Sequence, residues 1–251
     1  MIEFDMVLRR YGRTVAVNGL NLTIPRGELF ALLGPNGAGK TTTIRMLVGL
    51  LRPDAGHVRV CGVDCSQNPR QASSFLGYVP DEPYLYEKLS GRELLEFVGE
   101  MHGMKKAAIR EHIAREAERF ELERFIDNLT ETYSHGMRQR LVFATAFLHD
   151  PQVLVVDEPM VGLDPRSARV VKDLLRAEAE AGKTVLMSTH TLAVAEEIAD
   201  RIGILNHGKL NFLGTLSELR HELSAPHQAL EHLFLEMTNG HASPDAEEFS
   251  S

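Results

Sequence analysis

Residues 34–42 constrain the fold more than any other part of this chain, because they have the spacing G-x-x-x-x-G-K-T. The stretch follows the apolar run Leu29–Leu33 and precedes a segment with apolar residues at helical intervals. Glycines let backbone N–H groups turn towards phosphate oxygens, and a helix N-terminus adds the positive end of a dipole. The stretch therefore predicts a strand, a phosphate-binding loop and a helix that together bind a nucleoside triphosphate.

This loop supplies the first candidate site residues. Lys40 can reach the β- and γ-phosphates in such an arrangement, and the hydroxyl of Thr41 is placed to ligate Mg²⁺. The residues that we expect to contact ATP are Gly34, Pro35, Asn36, Gly37, Ala38, Gly39, Lys40, Thr41 and Thr42.

The rest of the chain predicts an α/β fold with a mainly parallel core sheet. With 251 residues, 43% of them hydrophobic, the chain can bury one large core. Continuous apolar runs at 153–156 and 185–188 are typical of strands buried on both faces. Alternation that places Ile2, Phe4 and Met6 on one side predicts an N-terminal layer of paired antiparallel strands.

Residues 84–132 predict an inserted α-helical subdomain. Ser90 and Glu93 form a capping box, and apolar residues then recur at helical intervals as far as Phe120. The insertion is too short for long coiled-coil arms and has no sustained heptad repeat.

The C-terminal part predicts a helical extension at about 215–238, made of stretches near 216–222 and 227–237. The polar tail, residues 239–251, is expected to be disordered. We therefore expect one nucleotide-binding domain, residues 1–238, followed by this tail.

Composition argues against several other classes of protein. No apolar run approaches the roughly 18 residues that cross a bilayer, and the first residues do not resemble a secretion signal, so we expect a cytoplasmic protein. Cys61, Cys65 and His57 are too few for a four-ligand zinc site, and we interpret the cysteines as reduced thiols. A net charge of −8 argues against a broad nucleic-acid surface, and no nucleic-acid partner is expected.

Two carboxylates follow the run at 153–156. Asp157 is placed to hold Mg²⁺, usually through water, and Glu158 can polarise an attacking water. Carboxylates at the C-terminal end of a central strand face the nucleotide crevice, which favours these roles over an ordinary acidic loop. Ser134 predicts the N-cap of another helix, whose end is either an ordinary capped terminus or a second anion site.

Together these motifs resemble those of the ATP-binding cassette (ABC) family. Their order and spacing match that family across roughly the first 215 residues. The segments that carry the resemblance are Walker A at 34–42, the signature at 134–137, Walker B at 153–157, the catalytic glutamate Glu158, the D-loop at 162–164 and the switch histidine His190.

The resemblance implies a head-to-tail dimer, formed by two copies of this chain or with a second cassette. ATP bound at Lys40 of one subunit would be completed by Ser134 and Gly136 of the other, and Asp164 would lie in the D-loop at the dimer contact.

The resemblance also implies roles for two aromatic residues. His190 would contact the γ-phosphate, and Tyr11 would stack on adenine. An exposed aromatic followed by Gly12 can equally pack at a strand end, so both interpretations of Tyr11 remain open.

This chain departs from the family pattern at two places. The signature usually reads Leu-Ser-Gly-Gly-Gln but here reads Tyr-Ser-His-Gly-Met at 133–137; the serine and second glycine remain, so phosphate capture should survive. The second departure lies at 77–83, expected to be the loop between the core and the helical subdomain. The family normally has a glutamine where this chain has Asp81, which is shorter and negatively charged but can still hold Mg²⁺ through a water.

The resemblance implies the ATPase subunit of an exporter-type transporter, bound to the inner face of the cell membrane through separate permease subunits. The surface expected to dock the permease, with two tyrosines and a leucine exposed beside prolines, is Glu82, Pro83, Tyr84, Leu85 and Tyr86. One alternative is a soluble ABC ATPase acting on ribosomes or DNA, but this chain has neither two cassettes nor coiled-coil arms. The other is a nucleotide-gated binding module without turnover, against which Glu158 and His190 argue.

Overall fold

The computed structural model describes residues 1–222, which form an α/β core with two sheets. The strands in this range are β1 (Ile2–Tyr11), β2 (Thr14–Ile24), β3 (Leu29–Leu33), β4 (Ala55–Val60), β5 (Val63–Asp64), β6 (Leu76–Val79), β7 (Val153–Val156), β8 (Thr184–Thr189), β9 (Arg201–Asn206) and β10 (Lys209–Gly214). The helices in this range are α1 (Lys40–Leu47), α2 (Pro69–Ser73), α3 (Gly91–Met101), α4 (Lys106–Arg119), α5 (His135–Phe147), α6 (Pro165–Glu180), α7 (Leu192–Ile198) and α8 (Leu216–Glu222).

The larger sheet has six strands in the order β10-β9-β3-β8-β7-β6. Its neighbours pair in parallel except for β10, which forms an antiparallel hairpin with β9. The prediction of a mainly parallel core sheet is therefore confirmed. The carboxyl ends of β3, β7 and β8 lie at one edge of this sheet, where the segments that follow these strands come together.

Burial on both faces explains the continuous apolar runs. All five residues of β3 are buried, and they alternate between two hydrophobic clusters. Leu29, Ala31 and Leu33 pack on the side of α5, α6 and α7, whereas Phe30 and Leu32 pack on the side of α1 and the N-terminal strands. Because both faces of the strand are covered, apolar residues are favoured at successive positions and not only at alternate ones.

The smaller sheet is antiparallel, with the order β2-β1-β4-β5, and confirms the predicted N-terminal layer. Ile2 and Phe4 point into the core as expected, but the prediction for Met6 is wrong because Met6 is exposed. An irregularity in the pairing between Phe4 and Val7 gives Met6 a φ of +48°. This bulge turns Val7 inwards in place of Met6.

The helices α3 and α4 lie within the stretch predicted as a helical subdomain. The capping box is confirmed: the Glu93 backbone N–H donates to Ser90 Oγ at 3.2 Å, and the Ser90 N–H donates to Glu93 Oε2 at 2.8 Å. Such a cap stabilises a helix by about 1 kcal/mol. The exact limits of this subdomain and of the single domain remain predictions.

Two further outcomes concern the segments on either side of the core. The segment 77–83 begins as a strand, since β6 pairs in parallel with β7, so the prediction of a loop is wrong for its first residues. The helix α8 confirms the stretch near 216–222, whereas 227–237 and 239–251 lie outside the described residues. Within residues 1–222, no helix combines the length and the hydropathy needed to cross a bilayer.

Candidate active site

Lys40 lies in the first turn of α1, at the carboxyl edge of the larger sheet. Its side chain is only 6% exposed. The Nζ atom donates hydrogen bonds to the carbonyl oxygens of Gly34, at 2.7 Å, and Pro35, at 3.3 Å, and lies 3.2 Å from Oε1 of Glu158. The ammonium group is thus held over the loop and faces the carboxylate that follows β7.

The backbone of the loop leaves room for phosphate oxygens. Gly37 has a φ of +82°, and apart from its chain neighbours no described atom lies within 4 Å of a Cβ built there. A Cβ on Gly34 would instead lie 2.3 Å from the carbonyl oxygen of Leu205, and one on Gly39 would lie 2.3 Å from that of Ala16. Close backbone packing therefore requires glycine at positions 34 and 39, while the positive φ of the exposed Gly37 favours glycine there.

Ser188 joins the two carboxylates that follow β7. Its hydroxyl donates to Oδ1 of Asp157 at 2.5 Å and accepts a hydrogen bond from the backbone N–H of Glu158 at 2.9 Å. The serine therefore fixes both residues at the edge of the sheet. Sequence reasoning did not single out Ser188, although it ends the run 185–188; the structure pairs this strand with β7, where Met187 lies opposite Val156.

Glu158 contacts the two other functional groups at this edge. Its Oε2 atom lies 3.0 Å from Nδ1 of His190, which follows β8, and its Oε1 atom faces Lys40. Glu158 has a φ of +48°, which is uncommon for a residue other than glycine and clusters at functional sites. The structure thus brings Lys40, Asp157, Glu158 and His190 together, with a carboxylate placed between a cation and an imidazole.

Asp81 lies beside the same carboxylates. Burial raises the pKa of Asp81 above its ordinary value, and the charges of Asp157 and Glu158 raise the pKa further, whereas His190 lowers it. A bound cation would relieve this repulsion. Among residues 1–222, no group of three or more His, Cys, Asp or Glu side chains is arranged to hold a metal by itself, so Mg²⁺ here would need further oxygen ligands from phosphate, hydroxyl groups or water.

Ser134 and Asp164 begin neighbouring helices. Ser134 is confirmed as the N-cap of α5, where its hydroxyl accepts a hydrogen bond from a backbone N–H at 3.3 Å. Asp164 caps α6 and accepts two such bonds, at 2.9 and 3.1 Å. With Gly136 they line a groove of about 620 Å³ between α5 and α6, whose lining includes none of residues 34–42. A single chain therefore does not join the signature to the phosphate loop through this groove.

Tyr11 is half exposed at the end of β1, where the guanidinium carbon of Arg9 lies 5.1 Å from its ring centroid. The hairpin that follows leads to Ala16, which packs against Gly39 of the phosphate loop. Tyr11 thus lies on the strand pair next to the loop, and its stacking on adenine remains a prediction.

The docking surface differs from the sequence prediction at Leu85. Tyr84 is 84% exposed and Tyr86 51%, but Leu85 is 4% exposed and packs in the core. The side chain of Leu85 therefore points away from the two exposed tyrosines and into the core. Phe97, whose ring centroid lies 6.0 Å from that of Tyr86, and Met101 on the next turn of α3 are also exposed. We call Tyr84, Tyr86, Phe97 and Met101 the aromatic patch.

Comparison with known proteins places these features in a family. The sequence pattern of the family described as "ABC transporter" matches residues 17–161. The chain is 42% identical over 224 residues to the daunorubicin/doxorubicin resistance ATP-binding protein DrrA of Streptomyces peucetius, covering 89% of this chain and 68% of that protein. It is 40% identical over 208 residues to the Nod factor export ATP-binding protein I of Paraburkholderia xenovorans (strain LB400), covering 83% and 68% respectively.

Among solved structures, the fold resembles a dimeric, post-hydrolysis form of the ATP-binding cassette MJ0796 bound to ADP and Pi. The TM-score is 0.77 at 26% identity, over 86% of this chain and 99% of that one. The fold, the phosphate loop and the paired carboxylates agree with these relationships. The chain therefore belongs to the ABC transporter family, within which it is an ATP-binding cassette that hydrolyses ATP.

Proposed function

We propose that this chain hydrolyses ATP to drive export through a separate membrane permease. The observation that carries the proposal is the carboxylate of Glu158, held between Lys40 and His190 at the end of β7. The two relatives, one named for drug resistance and one for Nod factor export, support export as the direction of transport.

In the proposed reaction, Lys40 and the loop N–H groups bind the β- and γ-phosphates. Glu158 orients a water molecule and accepts its proton as the water oxygen attacks the γ-phosphorus. The bond from this phosphorus to the bridging oxygen breaks, which leaves ADP and phosphate. His190 holds the carboxylate in place and contacts the γ-phosphate. Mg²⁺, held by Thr41 and, through water, by Asp157 and Asp81, would neutralise phosphate charge.

The site is completed in the proposal by a second cassette. Ser134 and Gly136 are exposed at the start of α5, where a capped helix N-terminus presents backbone N–H groups to an anion. ATP bound at Lys40 of one subunit would be covered by these residues of the other. Hydrolysis would then remove the γ-phosphate that bridges the two subunits and allow the dimer to open.

The aromatic patch is the proposed contact with the permease. Exposed aromatic residues are enriched at the centres of interfaces, and the patch continues from the segment that contains Asp81 onto α3. A helix of a membrane subunit docked there would respond to movement of Asp81 at the nucleotide site. ATP binding and transport would thus be linked through residues 81–86.

Two measurements test this function. Glu158→Gln should bind ATP but release phosphate at least about a hundredfold more slowly, because an amide cannot accept the proton of the water. Phosphate release near the wild-type rate would remove Glu158 from its role.

For the permease, the tagged protein is purified from detergent-solubilised native membranes. The wild type should recover an integral membrane protein, and Tyr84→Ala combined with Tyr86→Ala should lose it while retaining basal ATPase activity. Leu50→Ala, which truncates an exposed apolar residue outside the patch, is the matched control. Recovery of ribosomes or DNA in place of a membrane protein would contradict the export function.

A further inference from the structure

We propose that Arg119 is a positioning residue that fixes the spacing of α5 and α6, the two helices that carry Ser134 and Asp164 at their N-terminal ends. The inference rests on the proposed site shared between two cassettes. In this inference, Arg119 holds α5 so that Ser134 is positioned to contact the ATP bound to the second subunit.

Arg119 contacts the C-terminal ends of both helices. It lies at the end of α4, and its guanidinium group donates a hydrogen bond to the carboxylate of Glu178 in the last turn of α6. The guanidinium carbon also lies 4.5 Å from the ring centroid of Phe147, the last residue of α5. A planar guanidinium can pair with a carboxylate and stack on an aromatic ring at the same time, which a lysine cannot do as well.

The contact lies at the far end of the groove between α5 and α6. Ser134, Asp164 and Arg119 all line this groove, with the two capping residues at the start of the helices and Arg119 against their last turns. At 1.5 Å per residue, about 20 Å of helix separates Ser134 from Phe147 and Asp164 from Glu178. Because each helix is a stiff rod, a change of spacing at Arg119 is transmitted to the capping residues.

A second contact holds α5 nearer its start. The side-chain amide of Gln139 donates to the carbonyl oxygen of Pro159 at 3.3 Å, which attaches α5 to the segment directly after Glu158. The C-terminal half of α5 is packed in the hydrophobic core, where Leu141, Phe143 and Phe147 are buried. Arg119 adds a polar contact that joins the C-terminal end of α5 to that of α6.

Two carboxylates beside Arg119, those of Glu116 and Glu178, are buried. Glu116 is 1% exposed, and its carboxylate oxygens lie 2.7 Å from Nε of Arg115 and 3.8 Å from Nη1 of Arg119. The carboxylate of Glu178 also lies 3.0 Å from Nζ of Lys183. Buried ion pairs add little stability over apolar packing, and their best-attested use is to specify one arrangement of elements. The cluster joins α4 of the helical region to α6 of the core, where such an arrangement matters for the shared site.

The test uses Arg119→Met in a Glu158→Gln background, so that bound ATP is not consumed. Methionine keeps much of the side-chain volume but removes the charge and the planar fork, and Lys183 still neutralises Glu178. The matched control is Arg92→Met, which removes a guanidinium paired with Asp127 in the helical region without touching α6. Binding of a fluorescent ATP analogue to the monomer and ATP-dependent dimerisation are measured separately.

We expect Arg119→Met to leave monomer affinity for the ATP analogue within twofold and to raise the dimer dissociation constant at least tenfold, with Arg92→Met unchanged. In the wild-type background, the lost ATPase activity of Arg119→Met should return as protein concentration is raised. A role confined to folding would lower the unfolding temperature without changing dimerisation of the folded protein. That result, or equal dimerisation of Arg119→Met and Arg92→Met, would overturn the proposal.

Two outcomes separate this inference from the proposed function. If the Glu158→Gln protein itself does not dimerise with ATP, the shared site is wrong and the inference falls with it. If that protein dimerises but its Arg119 variant dimerises equally well, only the inference fails. Should Arg119→Met not fold, Glu178→Gln removes the partner charge at nearly constant volume and must weaken dimerisation in the same direction for the proposal to stand.

Discussion

Acidification should destabilise this protein through His149, which lies between α5 and β7. Its ring packs nearly parallel to that of His102, with centroids 3.7 Å apart, and its Nε2 atom lies 3.0 Å from the carbonyl oxygen of Leu76. Burial, with smaller contributions from His102 and Lys183, lowers the pKa of His149 to about 4, although Leu76 and Asp150 oppose the shift. Burial also lowers the pKa of His102. The folded state therefore holds His149 neutral.

The sign and size of the effect follow from the two pKa values of His149. In the unfolded chain the pKa is about 6.5, so the unfolded state binds the proton more readily. Above pH 6.5 His149 is neutral in both states, so the part of the free energy of unfolding that depends on its titration is fully present. This part is lost as the pH falls from 6.5 towards 4. Between pH 7 and pH 5, a folded pKa of about 4 corresponds to a loss of about 2 kcal/mol, or roughly 4–8 °C in unfolding temperature for a chain of this size.

The assay is thermal unfolding of the wild type and of His149→Gln at pH 7 and pH 5. Glutamine can still donate to Leu76 but does not titrate, so the variant should lose about 2 kcal/mol less than the wild type on acidification. Raised pKa values, such as those of Glu28 and Asp81, act in the opposite direction in both proteins, so the difference between them is the informative quantity. His221→Gln, at an exposed position of α8, is the control. Equal pH dependence of His149→Gln and wild type would refute the reasoning.

Three further predictions concern the catalytic edge and the docking segment. Lys40→Ala should weaken ATP binding at least about tenfold in an equilibrium binding assay, because it removes an ammonium group that partly neutralises the phosphates; unchanged affinity would contradict the assignment. Ser188→Ala should slow phosphate release about tenfold while ATP affinity stays within about twofold, since it frees Asp157 and the backbone of Glu158; full activity would make the serine dispensable. Asp81→Gln should retain ATPase activity, whereas Asp81→Lys should lose Mg²⁺-dependent turnover because the lysine repels the metal ion. Activity in the lysine variant would show that Asp81 does not act with the metal.

The sequence predicted the features that depend on local signals. The phosphate loop and the caps Ser90 and Ser134 are each encoded in a few neighbouring residues, and the structure confirms the two caps. Runs of apolar residues likewise identified the buried strands, because most positions of a strand covered on both faces are apolar.

Features that depend on distant residues could not be predicted in the same way. Leu85 was expected at the surface because the residues around it suit an interface, but its burial depends on helices that lie far along the chain. Met6 faces solvent because of a β-bulge between Phe4 and Val7, and no short sequence motif indicates that bulge. Arg119 and Glu178 are separated by 59 positions, and nothing in the pattern around either residue indicates the other.

Lys40 and Glu158 show why the site residues could be named from the sequence although their energetics could not. Each was identified from its own motif, yet the structure places the two groups 3.2 Å apart with little exposure. A buried charge that loses its partner carries a desolvation cost that the pair did not have. Each single substitution therefore also perturbs the remaining partner, and the effects of Lys40→Ala and Glu158→Gln on stability should not add. A double-mutant cycle by thermal unfolding should give a coupling of about 1 kcal/mol or more, and simple additivity would mean that the two groups do not interact in solution.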